Sequence, residues 1–152
     1  MYRKGVSIIL LNNKNQILLE NLISFATYYF ALPGGGRDLD ESYEATVKRE
    51  LNEELGISES MISIERQLKK PIRFVFKCAP LVRDGVTYIG QERQCFLVKF
   101  KGKDTDIKLN KDEVRRYVWA NYNDLSKYLL FDGQLKDVNT MIKELCSFIV
   151  NE

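Results

Sequence analysis

The sequence predicts an α+β fold, a sheet of several strands covered by helices on its two sides. Three observations lead there. Short runs rich in Val, Ile, Leu, Phe and Tyr recur between turn-forming residues. The stretch 42 to 55 runs from a capping serine to a glycine, with no Pro or Gly between them. Near the end, Leu135, Val138, Met141, Ile142, Leu145, Phe148 and Ile149 recur at three- and four-residue spacing. At 152 residues the chain suits one domain with a real core and not two, so a single domain over 1–152 is expected.

Gly5 to Leu11 reads as a buried strand, Asn12 to Asn15 as a turn, and Gln16 to Glu20 as the strand that completes a hairpin. Tyr28, Tyr29 and Phe30 crowd together and are expected in the core, with base stacking as the alternative. Ala31-Leu32-Pro33 makes an extended approach to glycines 34 to 36, where the backbone can come close to other groups. Ser42 starts the helix that Gly56 ends. Ile62 to Gln67 is the next strand. Lys69, Lys70, Arg73 and Lys77 then interleave with Phe74, Val75 and Phe76. That pattern reads as an edge strand turning Phe74 and Phe76 inward, or as a basic rim that steers phosphates. Gln94 to Phe100 is a further strand, Gly102 to Asp112 a polar loop relieved only by Ile107 and Leu109, and Tyr117 to Ala120 a short strand carrying the only Trp. Leu135 to Ile149 is the closing amphipathic helix.

The 23 basic and 21 acidic residues nearly cancel at a formal +2, so no global field favours long nucleic acid or a membrane surface. Neither DNA nor a membrane is expected as a partner; this charge balance leaves room for a small or terminal phosphate ligand. No apolar run reaches about 18 residues, and Met1-Tyr2-Arg3-Lys4-Gly5 does not open a signal peptide, so a cytoplasmic protein is expected. Cys78, Cys95 and Cys146 are an odd set without C-x-x-C spacing, which argues for buried thiols in a reducing compartment rather than disulfides or structural zinc. The chain has no His, which removes imidazole as base, nucleophile or metal ligand. Hydrolytic chemistry must run on carboxylates, Lys, Tyr, Cys or a metal-bound water. Oligomeric state is left open by composition.

The richest stretch is 35 to 57. On a helix over 42–55, Glu50, Glu53 and Glu54 share an arc of about 100°, while Leu51 and Leu55 occupy the adjoining sector that faces a core. Like charges three or four positions apart destabilise an exposed helix by roughly 0.2–0.5 kcal/mol per pair, so something positive should offset them. Arg49 can pair with one carboxylate, and Glu41 is a candidate partner for its guanidinium fork. The surplus acid is an oxygen-only ligand set of the kind that suits Mg²⁺ or Mn²⁺ shared with substrate phosphates. A solvated acidic face would account for Glu53 and Glu54 by themselves. It does not account for Gly35, Glu41, Arg49, Glu50, Glu53, Glu54 and Gly56 together: at roughly 7% per fixed residue, coincidence has odds on the order of 10⁻⁸ per window.

These residues match the Nudix box, G-x5-E-x7-R-E-U-x-E-E-x-G-U with U aliphatic, at every fixed position, so the chain resembles a Nudix hydrolase. The resemblance implies an α/β/α sandwich with a mixed central sheet. Tyr2-Arg3 before Val6 to Leu11, Tyr88-Ile89-Gly90-Gln91, Phe96-Leu97, and Glu113 six residues before Trp119 further resemble the RNA pyrophosphohydrolase and dinucleoside-tetraphosphatase branch. Pro33-Gly34-Gly35-Gly36 stands where the branch often has Pro-Gln-Gly-Gly, and Cys95 where it often has an aromatic residue. Carried over, Glu50, Glu53, Glu54, Glu113 and the Gly34 carbonyl are implied metal ligands. Gly35, Glu41 and Arg49 are implied structural supports of the box, while Arg3, Tyr28 and Gln91 are candidates for substrate contact.

The chemistry so implied is hydrolysis of a phosphoanhydride by in-line attack of a metal-activated water, with Glu53, Glu54 and Glu113 as the catalytic set and Glu53 or Glu113 as the proton acceptor. The expected substrate is a dinucleoside polyphosphate or the 5′-phosphorylated end of RNA. Nucleotide sugars or oxidised nucleoside triphosphates are the alternative substrates, and a nucleotide-binding sensor without turnover is the alternative class.

Overall fold

The computed structural model describes residues 1–77 and 79–150. In chain order its elements are β1 (Tyr2–Leu11), β2 (Ile17–Leu22), β3 (Gly34–Gly36), α1 (Tyr43–Leu55), β4 (Ile62–Gln67), β5 (Ile72–Val75), β6 (Leu81–Arg83), β7 (Val86–Tyr88), β8 (Gly90–Phe100), β9 (Val114–Ala120) and α2 (Gln134–Leu145). Seven strands make one sheet in the order β4-β8-β1-β2-β9, with β3 also pairing with β1 and β5 with β8, while β6 and β7 form a separate hairpin. β1 and β8 run parallel from Tyr2↔Gly90 to Leu11↔Lys99, and the other pairs are antiparallel. The sheet is therefore mixed, as the resemblance implied.

Side chains alternate across that sheet, and each face has its own helix. Val6, Ile8, Leu10, Leu18, Phe96, Val98 and Phe100 pack on Val47, Leu51 and Leu55 of α1. Ile9, Leu11, Ile17, Leu19, Cys95 and Leu97 pack on Val138, Met141, Ile142 and Leu145 of α2. The result is an α/β/α sandwich. Ser42 Oγ accepts the Ala45 N–H at 3.1 Å, and Gly56, at φ 65°, ends the helix with its N–H on Asn52 O at 2.9 Å. Among the described residues no helix is long and apolar enough to cross a membrane.

Several expectations are corrected. The last helix stops at Leu145 because Cys146 adopts φ −152°, ψ 48°, and a 3₁₀ turn over Ser147–Ile149 follows. The tighter turn buries Ile149 and leaves Phe148 exposed, so the 3.6-residue periodicity no longer holds there. Phe74 is 44% exposed rather than inward. It shares a side of β5 with Ile72, which reaches the α2 cluster, but lies two residues further along, past that cluster. The aromatic trio divides: Phe30 is buried against Tyr128 with ring centroids 5.1 Å apart, whereas Tyr28 is 61% exposed. The hairpin of β6 and β7, which turns on Asp84 and Gly85 at φ 50° and 76°, was not anticipated although Asp-Gly is its usual signal. Cys95 and Cys146 are free and buried, and burial pushes their thiols up to about 12 and about 11. Cys78 lies outside the described residues.

Candidate active site

Arg49 joins the glycine strand to α1. Its Nε donates to Glu41 Oε2 at 2.8 Å, its Nη2 to Glu41 Oε1 at 3.0 Å and to Gly36 O at 2.7 Å, and its Nη1 to Glu50 Oε1 at 3.0 Å and Glu53 Oε2 at 3.2 Å. Glu41 also accepts from Thr46 Oγ1 at 2.7 Å and from the Asp38 N–H at 3.1 Å. The guanidinium beside it holds the Glu41 carboxyl down at about 2. This half of the site is a closed hydrogen-bond network. Gly35 lies so close to it that a side chain there would strike the Glu50 carboxylate.

The other half is short of donors. Glu50 and Glu54 are buried, and Glu53, with its side chain 48% exposed, faces outward beside them. The Gly34 N–H donates to Glu54 Oε1 at 3.3 Å. Burial, reinforced by the charge of Glu50, pushes the Glu54 carboxyl up to about 7, and burial also raises Glu50. Glu113 is brought in from outside the helix by the loop expected to be polar and plain. Ile107 and Leu109 anchor that loop on the α1 core, while its Lys108 and Asn110 N–H groups cap the carbonyls of Leu55 and Glu54 at 2.8 and 3.0 Å. Glu113 follows, exposed, near enough that its charge acts on both Glu50 and Glu54.

Two further groups converge here that the sequence reading did not single out. Glu20 is two residues beyond Leu18 on β2 and so shares the α1-facing side of the sheet. It is 1% exposed, and its carboxyl stands in hydrogen-bonding range of Glu54. Burial, then the Glu54 charge, raises its pKa well above the carboxylate range. Arg93, on β8, donates from Nη1 to Val6 O at 2.6 Å and from Nε to Gln91 Oε1 at 2.8 Å, with Glu50 and Glu54 in electrostatic range. For Glu20 the available signal is a carboxylate closing the apolar run Ile17 to Leu19, whereas the polar stretch Gln91 to Gln94 around Arg93 carries none.

Of the other candidates, Arg3 lies against Gly36, where a side chain would meet its guanidinium, and Gln91 orients Arg93. Tyr28 belongs to an aromatic patch, tilted on Tyr29 at 5.1 Å, and Tyr29 in turn stacks on Phe131 at 4.5 Å. As placed, no three acidic or thiol side chains among the described residues stand in ion-holding geometry, and Arg49 draws Glu50 and Glu53 toward itself. The donor chemistry nevertheless fits a hard divalent cation: every available ligand is oxygen, and the buried Glu20 Oε2 has no hydrogen-bond partner.

Residues 1–141 match the NUDIX domain family. The chain belongs to the Nudix family. It is 34% identical to an RNA pyrophosphohydrolase of Orientia tsutsugamushi (strain Boryong), covering 82% of this chain and 78% of the relative. It is 31% identical to an RNA pyrophosphohydrolase of Ruthia magnifica subsp. Calyptogena magnifica, covering 98% and 95%. Among solved structures, a C. elegans Ap4A hydrolase binary complex superposes with a TM-score of 0.69 at 15% identity, covering 97% of this chain and 99% of the other. The E. coli dihydroneopterin triphosphate pyrophosphohydrolase does so with 0.70 at 12% identity, covering 100% and 99%. These two likenesses establish the fold. In Nudix terms, the box residues Gly35, Glu41 and Arg49 lie in the closed network, and Glu50, Glu53 and Glu54 in the acid cluster. Nudix hydrolases generally depend on a divalent metal ion, which accords with the oxygen-only cluster.

Proposed function

We propose that the chain is a Nudix pyrophosphohydrolase that cleaves a phosphoanhydride at the tri- or diphosphorylated 5′ end of RNA. The observation that carries this reading is the acid cluster of Glu50, Glu53, Glu54 and Glu113, assembled from the box and a later loop in a chain whose curated relatives of matching length are named RNA pyrophosphohydrolases. Glu50, Glu53, Glu54, Glu113 and the Gly34 carbonyl are the groups that would hold a divalent ion. When bound, Mg²⁺ or Mn²⁺ supplies Lewis acidity toward phosphate oxygens and a water of lowered pKa.

The protein's own groups divide the remaining work. Glu50 and Glu54, buried, form the inner wall. Glu53 and Glu113 stand at the solvent side, where one of them accepts the proton of the attacking water as the new P–O bond forms and the anhydride P–O bond breaks. Arg49, bonded to Glu41 and to Gly36 O, keeps α1 docked on the glycine strand and so fixes the position of the carboxylates. Arg3, beside Gly36, and Arg93, near Glu50 and Glu54, would supply positive charge for phosphates, with Gln91 orienting Arg93. Tyr28 lies within reach of stacking chemistry by its exposure alone.

A dinucleoside polyphosphate is the second reading, favoured by the near-neutral net charge of +2, which provides no broad basic track for a long RNA. Anion-exchange analysis of products with Mg²⁺ or Mn²⁺ tests both, with 5′-triphosphorylated RNA, diadenosine tetraphosphate, a nucleotide sugar and an oxidised nucleoside triphosphate assayed in parallel. Release of phosphate or pyrophosphate from the RNA end, lost in Glu54→Gln, is the expected result. Turnover that survives Glu54→Gln would sink the assigned site, and no turnover of any substrate would favour a sensor.

A further inference from the structure

Glu20 is the least explained side chain of the sheet. β2 places it on the α1-facing side, in line with Leu18, at a position where the neighbouring sheet residues are apolar. It is 1% exposed, and its Oε2 makes no hydrogen bond with any described residue. Burying a carboxyl without partners is costly, so such a group survives by staying protonated or by meeting a cation. Nearby cations are already engaged. Arg49 is committed to Glu41, Glu50, Glu53 and Gly36, and Arg93 to the Val6 carbonyl and Gln91. Facing Glu20 instead are three more acids: Glu54 in hydrogen-bonding range, and Glu50 and Glu113 close enough to act through their charges.

Backbone bonding holds the residue in that position. The Glu20 N–H donates to Ala31 O and the Ala31 N–H to Glu20 O, both at 2.9 Å, tying β2 to the segment that leads into the glycine strand. Next to it, Asn21 is fully buried and donates from Nδ2 to Ala26 O at 2.9 Å and Tyr29 O at 2.7 Å, so the strand can neither slip nor rotate Glu20 outward without undoing the loop. The acid is built in and aimed at the box carboxylates.

We propose that Glu20 is a fifth carboxylate of the cation site, supplying a ligand oxygen from the sheet opposite the α1 acids. The inference rests on the reading of Glu50, Glu53, Glu54 and Glu113 as a cation site, and adds to it a ligand from a strand that the Nudix box does not include. Its consequence is an inner wall closed on the sheet side as well as the helix side, which raises the negative charge available to bring a divalent ion to phosphate.

The test is Mn²⁺ binding without substrate, by electron paramagnetic resonance of the free ion, on wild type, Glu20→Gln, Glu20→Val and Glu54→Gln, with folding checked by circular dichroism. Glu20→Gln keeps the shape and hydrogen-bonding capacity of a protonated acid but not the ligand, and Glu20→Val replaces it with a strand-forming apolar residue that tolerates burial. Expected is a loss of roughly tenfold or more in Mn²⁺ affinity for both variants, as for removal of groups that support a metal site. The rise in melting temperature that Mn²⁺ confers on the wild type should also shrink. Wild-type affinity retained in Glu20→Gln, or in a folded Glu20→Val, would overturn the ligand role and leave Glu20 as a permanently protonated partner of Glu54, with the α1 site intact. Failure of the wild type itself to bind Mn²⁺ would instead strike at the functional reading beneath both.

Discussion

The two ends of α1 carry carboxylates in opposite circumstances. Glu41, just before the helix, accepts from Arg49, Thr46 and the Asp38 N–H, and its pKa falls to about 2. Glu54, near the helix's other end, receives one hydrogen bond from Gly34 and faces Glu20 and Glu50, and its pKa rises to about 7. Both are Nudix box residues, separated by the length of the helix. A satisfied carboxylate is a structural tie; one left among other acids is held there at a cost that a cation would remove. The box thus divides into a scaffold complete in itself and a cluster that is complete only with a ligand.

The largest separation of the two should come from deleting one charged group on each side. Glu54→Gln is expected to lower kcat on the order of 10³-fold, the loss of several kcal/mol of charge stabilisation in the transition state, while leaving the metal-free protein as stable as the wild type or more so. Arg49→Met should do the reverse. Stripping the guanidinium leaves Glu41, Glu50 and Glu53 uncompensated, at a cost of about 3 kcal/mol in urea denaturation without metal. If both variants lose stability alike, the division of the box is wrong.

The same contrast predicts a pH dependence with two limbs. Glu41, lowered from an ordinary value of 4.5 to about 2, contributes stability that is fully present above about 4.5 and is lost as pH falls toward 2. Glu54, raised from 4.5 to about 7, binds its proton more tightly folded than unfolded, so its contribution is present below about 4.5 and is lost as pH rises through 7. Glu20 and Glu50 act in the same direction as Glu54. Metal-free melting temperature should therefore peak in mildly acidic buffer and fall by an amount worth about 2–3 kcal/mol toward pH 8. Saturating Mg²⁺ should flatten the alkaline limb and leave the acidic limb unchanged. An alkaline limb insensitive to Mg²⁺ would count against the cation site.

How much of this was legible in the sequence follows the same division. The Arg49–Glu41 pair, the helix from Ser42 to Gly56 and the α1 acids could be placed because they lie within one short segment, where helical geometry converts spacing into direction. Glu20 and Arg93 could not, because they reach the site through strand pairing. The strand expected from sequence ends at Glu20, whereas β2 continues to Leu22 and pairs with β9, which puts Glu20 in the sheet interior. Likewise β8 begins at Gly90, four residues before the expected start, because β1 and β5 flank its charged opening and Glu92 is neutralised by Lys4 at 2.9 Å and Arg73 at 2.7 Å. Local spacing reads a helix face; it does not read which strands become neighbours.

The smallest effect tests whether the scaffold half is rigid enough to isolate the cluster from changes at the start of the helix. Ser42 Oγ accepts the Ala45 N–H at 3.1 Å, and its side chain takes no part in the Arg49 network. Ser42→Ala should cost about 1 kcal/mol, the usual worth of an N-cap, or roughly 2–4 °C in melting temperature for a chain of this size. The Mg²⁺-induced rise in melting temperature should be the same as in the wild type, since Thr46 and the Asp38 N–H still hold Glu41, and Glu41 still holds Arg49. If the metal-induced rise shrinks along with the baseline, the helix start and the acid cluster share one cooperative element, and the closed network around Arg49 does not insulate the site from the end of the helix it anchors.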